Sequence, residues 1–154
     1  MFRNLQSVLQ RPPLERRLLV EAFFALAWAR LTLAGRPFQR VAERLGRTGE
    51  ESPATVPAHQ ERLADAIGQA IETMSRHTPW ENRCLAQALA AWRMLQRRGI
   101  AVTVYFGVAQ NPAKPFDAHA WVRCGSQLVT GGEGHEQFRV ISSFAREDTP
   151  KAKD

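Results

Sequence analysis

An α+β fold, with helices first and an antiparallel sheet after them, is what the order of patterns along this 154-residue chain predicts. Three observations carry that expectation. Apolar residues recur every three or four positions in segments that extend as far as Leu95. From Ile100 onward they come instead in short runs rich in β-branched and aromatic side chains. Gly or Pro marks most of the boundaries between these segments, as at Pro12-Pro13, Gly35-Arg36-Pro37, Pro79 and Gly99.

The elements follow in order. Pro12-Pro13 marks a turn. Beyond it Leu14, Leu18, Ala22, Leu26 and Ala29 keep helical spacing, and Leu19, Phe23 and Ala27 widen the stripe. A helix from Leu14 to Ala34 is expected. Its apolar part raises the question of a membrane span, but Glu21 and Arg30 interrupt it and it is short for a crossing, so a buried core helix is the better reading. Gly35-Arg36-Pro37 stops it, and a second short helix runs from Phe38 to Leu45. Gly46 to Pro57 reads as a surface loop. Leu63, Ala66, Ile67, Ala70, Ile71 and Met74 mark a third helix, broken at Arg76-His77-Thr78-Pro79. Leu85, Ala88, Leu89, Trp92 and Leu95 mark a fourth, closed by Gly99, with Arg97 and Arg98 at its negative end.

Ile100 to Val108, Asp117 to Cys124, Gln127 to Thr130 and Phe138 to Phe144 read as strands, with a Pro-containing loop at Gln110 to Pro115. The charged tail after Arg146 is expected to fray. No internal repeat is present. The chain reads as one domain, with a helical part over about 1–78 and a helix plus sheet over about 79–146.

Composition narrows the class. A hydrophobic content of 44% and a charged content of 23% are those of an ordinary globular protein. The formal charge of +6 permits acidic partners, but its Arg residues sit mostly on patterned helices and no basic cluster interleaves with aromatics, so no nucleic-acid partner is expected. Two cysteines, Cys84 and Cys124, match no metal-ligand spacing and make no disulfide framework, which fits a reducing cytoplasm; no metal or other cofactor is expected. Met1 to Arg17 lacks a signal-peptide layout.

Cys84 and His119 are the candidate chemistry. Cys84 opens a helix-patterned run, and a helix start favours a thiolate through unpaired N–H groups and the macrodipole. Two starts are open. Thr78-Pro79-Trp80-Glu81 is a capping-box pattern that would put Cys84 in the second turn, whereas an Asn82 cap would put it in the first. His119 lies on a strand, sharing a face with Trp121 and Arg123, while Ala118, Ala120 and Val122 face the other way. A thiol at a helix start and an imidazole on a following strand form the nucleophile and base of a thiol hydrolase or acyl transferase. The Cys84 backbone N–H is a candidate oxyanion donor, with Asn82 as a second. Trp121 is a candidate wall of a substrate cleft, with core packing as its plainer role.

An imidazole base needs an acceptor on its other nitrogen. A type II′ turn at Gly125-Ser126 pairs Cys124 with Gln127, sets His119 opposite Gly132, and puts Thr130 on the His119 face. A loop one residue longer sets Glu133 opposite instead. Asp117 lies two residues earlier on the same face. Thr130, Glu133, Asp117 and a backbone carbonyl all stay open.

The stretch Cys84-Leu85-Ala86-Gln87-Ala88-Leu89-Ala90, then Leu95 to Ile100, Phe106-Gly107-Val108, and Phe116-Asp117-Ala118-His119-Ala120-Trp121-Val122 resembles the lasso-peptide leader peptidases. Glu21-Ala22-Phe23-Phe24 and Ala29-Arg30-Leu31 resemble them too. These are transglutaminase-like cysteine proteases of ribosomal peptide maturation. The resemblance implies a papain/transglutaminase-like fold and removal of the leader from a lasso precursor, with Cys84 as nucleophile and His119 as base. It also implies a separate leader-recognition protein as partner and a lasso cyclase acting on the released core. The family often carries an aspartate on the strand after the histidine; this chain has Thr130-Gly131-Gly132-Glu133 there. A transglutaminase-like acyl transferase or amidase, or a non-catalytic peptide-binding scaffold, are the alternatives.

Overall fold

A computed structural model describes residues 2–80 and 83–146. Its helices are α1 (Phe2–Leu9), α2 (Pro13–Gly35), α3 (Phe38–Leu45), α4 (Ala58–Ser75) and α5 (Cys84–Gln96). Its strands are β1 (Arg47–Thr48), β2 (Thr103–Asn111), β3 (Lys114–Cys124), β4 (Gln127–Thr130) and β5 (Arg139–Ala145), and a short 3-10 turn, His135–Gln137, precedes β5. The expected α+β arrangement is what forms: helices, then an antiparallel sheet in the order β1-β5-β2-β3-β4.

Pro13 starts α2, where its missing N–H costs nothing. This helix is long and apolar enough to cross a membrane by length and composition, yet Leu18, Ala22, Leu26 and Ala29 are buried against α4 and α5. α4 and α5 in turn cover one face of the sheet, where Val104, Ala120, Val122 and Cys124 complete the core. Small residues on α5 (Ala86, Ala88, Ala90, Ala91) are fully enclosed and let it approach both neighbours closely. Arg98, just past α5, donates to the Met94 carbonyl at 2.9 Å and clamps Glu21 of α2 with two bonds of 2.8 and 2.6 Å.

The second face of the sheet carries Tyr105, His119, Trp121 and Arg123. Part of the loop between β1 and α4 is tied down there: the Arg123 guanidinium donates to the Ser52 carbonyl at 2.9 Å, and Ser52 and Thr103 hydroxyls meet at 2.8 Å, both buried. Gly125 takes φ +58 while no non-glycine residue among the described residues has positive φ, and Cys124 pairs with Gln127, as a type II′ turn requires.

Three local features differ from expectation. α1 and β1 were not foreseen; α1 is docked through Val8 on the core and β1 exists by pairing with β5. The expected loop at Gln110 to Pro115 is a tight hairpin, since Asn111 pairs with Lys114 and both strands run on to it. Pro115 falls in an irregular stretch of the register, where it owes the ladder no N–H. The tail beyond Arg146 lies outside the described residues.

Candidate active site

α5 begins at Cys84, with Arg83 as an extended N-cap (φ −74°, ψ 162°) whose side chain does not cap the helix. The first-turn placement therefore holds, and Thr78 to Trp80 form bends rather than the start of the helix. Asn82 and Glu81 lie outside the described residues. Cys84 is half-buried, and its own N–H is one of the groups that an α-helix leaves without an internal partner. Cys124 is fully buried in the core, and that burial, with the Glu61 carboxylate second, pushes its thiol up from the ordinary value.

β4 stops at Thr130, which pairs with Val122, so the β3 edge beside His119 is uncovered. A register shift between Val122 and Arg123 moves β4 by one residue from the even ladder. At this point Gly131 turns with φ +69 and delivers its carbonyl to His119, 2.7 Å from Nε2. A carbonyl only accepts, so Nε2 carries the proton and the lone pair of the neutral ring is on Nδ1. None of the three side chains considered for this place makes that bond. Thr130 is buried and its Oγ1 has no partner among the described residues. Glu133 is exposed at the rim, and Asp117 stands opposite Ala109, toward the hairpin end of the strand pair. The acceptor is backbone, which a residue-type search does not single out.

Cys84 and His119 line one open cleft of about 440 Å³. Its floor is made small by Gly68 of α4 and by Gly131 and Gly132; Gln87, three residues after Cys84 on the same helix face, lines it as well. Glu72 and Arg76, paired at 2.6 Å, sit on the α4 side. Gln87 was missed by the sequence reading, although its spacing from Cys84 was there to find. Trp121 is not a cleft wall. It is 4% exposed and packed between Tyr105 (5.6 Å, 19°) and His119 (5.7 Å, 27°), because Gly107 opposite leaves room that any side chain would fill. Phe138 closes on the other flank of His119, with centroids 4.9 Å apart. Among the described residues no three His, Cys, Asp or Glu side chains gather as a metal site.

A helix-start cysteine and a strand histidine in one cleft, on helices followed by an antiparallel sheet, define a transglutaminase-like architecture. The family model of the transglutaminase-like superfamily matches residues 23–143, and the chain belongs to that superfamily, which includes cysteine proteases and acyltransferases. No curated protein matches the chain, and no solved structure does.

Proposed function

We propose that this protein is a cysteine peptidase that removes the leader from a lasso-peptide precursor in the cytoplasm, acting with a separate leader-recognition protein and ahead of a macrolactam-forming cyclase. The observation that carries the peptidase reading is the shared cleft of Cys84 and His119, with the His119 Nε2–H held by the Gly131 carbonyl. The lasso-precursor substrate rests on the resemblance of the segments around Cys84 and His119.

In this reading His119 Nδ1 takes the proton from the Cys84 sulfur, and the thiolate attacks the scissile carbonyl. The tetrahedral oxyanion is met by the Cys84 N–H at the positive end of α5. The C–N bond then breaks, and Nδ1–H gives its proton to the leaving amine of the core peptide. A water, deprotonated by the same nitrogen, attacks the thioester; the leader leaves as a carboxylic acid and the thiol is restored. The Gly131 carbonyl keeps the ring in one tautomer through both halves, the task a carboxylate or amide has in other triads.

Cys84→Ala, incubated with precursor and recognition protein, is expected to leave the precursor intact while near-ultraviolet circular dichroism is unchanged. Cleavage retained by that variant overturns the assignment. Mass analysis of the wild-type products with an added amine separates the alternative: hydrolysis gives a free leader acid, and acyl transfer gives a leader amide.

A further inference from the structure

We infer that His135 is a positioning residue for His119: it pins the glycine loop whose carbonyl orients the imidazole. The inference deepens the reading of Cys84 and His119 as nucleophile and base and rests on it. Between β4 and the 3-10 turn stand Gly131, Gly132, Glu133 and Gly134, and both Gly131 and Gly134 have positive φ. A segment so rich in glycine has much conformational freedom to lose, yet its first carbonyl must stay 2.7 Å from His119 Nε2.

The next carbonyl is where the loop is fastened. His135 Nδ1–H donates to the Gly132 oxygen at 2.6 Å, and the His135 backbone N–H reaches the same oxygen at 3.3 Å. Since the oxygen only accepts, His135 holds its proton on Nδ1, the reverse of His119. Glu136 Oε1 lies 3.5 Å from the same Nδ1 and favours the proton there. The His135 ring rests against Trp121 at 5.7 Å, and Trp121 stacks on His119 at the same distance. Two imidazoles against one indole thus hold two adjacent carbonyls. Removing the side-chain bond leaves the Gly132 oxygen with the longer 3.3 Å bond from the His135 backbone N–H alone, so the Gly131 carbonyl beside it is held less firmly against the ring it orients.

The test compares His135→Phe, which keeps a ring beside Trp121 but has no donor, with His135→Asn, which keeps an N–H near the place of Nδ1–H but has no ring. Nitrogen-15 shifts of the His119 ring report its tautomer, and iodoacetamide alkylation of Cys84 reports the pair; neither needs a peptide substrate. His135→Phe is expected to average the two His119 nitrogens and slow alkylation at neutral pH about ten-fold, the lower end of what lost outer hydrogen-bond partners cost. His135→Asn is expected to restore both. An unchanged tautomer and rate in His135→Phe overturn the inference, and so does an equal loss in His135→Asn. Should Phe prevent folding, His135→Leu is read in its place. If Cys84→Ala still cleaves precursor, the peptidase reading falls, while the His119 shifts still decide the role of His135.

Discussion

Replacing Gly131 by Ala tests the carbonyl that orients His119. At φ +69 a side chain costs about 1–2 kcal/mol in backbone conformation alone. The added Cβ would stand 2.5 Å from the Ala120 carbonyl oxygen, 3.0 Å from the Trp121 Cβ and 3.2 Å from His119 Nε2. Ala120 is strand backbone paired with Phe106, so the loop has to yield. Reaching ordinary contact means a retreat of about 1 Å, which stretches the 2.7 Å bond to His119 beyond hydrogen-bond range. With that bond lost, the total destabilisation is about 2–3 kcal/mol. Misplacing a catalytic group by about 1 Å costs on the order of 100-fold in rate. Urea unfolding followed by tryptophan fluorescence gives the first quantity, and precursor cleavage or Cys84 alkylation gives the second. A Gly131→Ala protein with wild-type stability and rate would show that the carbonyl does not position the ring.

Three further outcomes are expected. The Arg98 hydrogen bonds hold the Glu21 carboxyl below its ordinary value of 4.5, so the stability they supply is complete above that pH and is lost as pH falls through the depressed value; Glu21→Gln should remove this part of the acid-side decline in urea midpoints, and identical pH profiles would refute it. Arg123→Met strips donors from the Ser52 and Gly125 carbonyls and from the Tyr105 hydroxyl, costing about 2–4 kcal/mol and opening the loop between β1 and α4 to limited proteolysis; a resistant loop counts against the latch. A chromogenic disulfide reagent should titrate one thiol, Cys84, in the native protein and two in denaturant; fast native reaction of Cys124 would contradict its burial.

The helices α2, α4 and α5 were legible because their apolar stripes are long enough to fix a period, α3 because Gly35-Arg36-Pro37 marks where it starts, and β4 because a glycine-led two-residue turn fixes both its start and its partner. α1 and β1 were not. An eight-residue helix and a two-residue strand draw their stability from Val8 docking and from β5, not from local preference. The prolines at 112 and 115 argued for an open loop, but the bulge that excuses Pro115 is a tertiary feature. In the site, the residue types of Cys84 and His119 announce themselves. The orienting acceptor does not, because every residue owns a carbonyl and only the register shift and the turn at Gly131 decide which one arrives. For Trp121 core packing, the plainer of its two expected roles, is what forms: the pleat gives its face, but not that Gly107 makes a seat for it there.

The place of β5 between β1 and β2 bears on how the chain is made. Should β2 pair with β3 as soon as both have been made, its other edge has no partner until residues 139–145 follow. Over that interval Val104 and Phe106 lack the strand that covers them, and an unpaired apolar edge invites contact with another nascent chain. Holding the α2, α4 and α5 bundle together first would give the late strand a finished surface to join, so the order of elements from the N-terminus doubles as an order of protection.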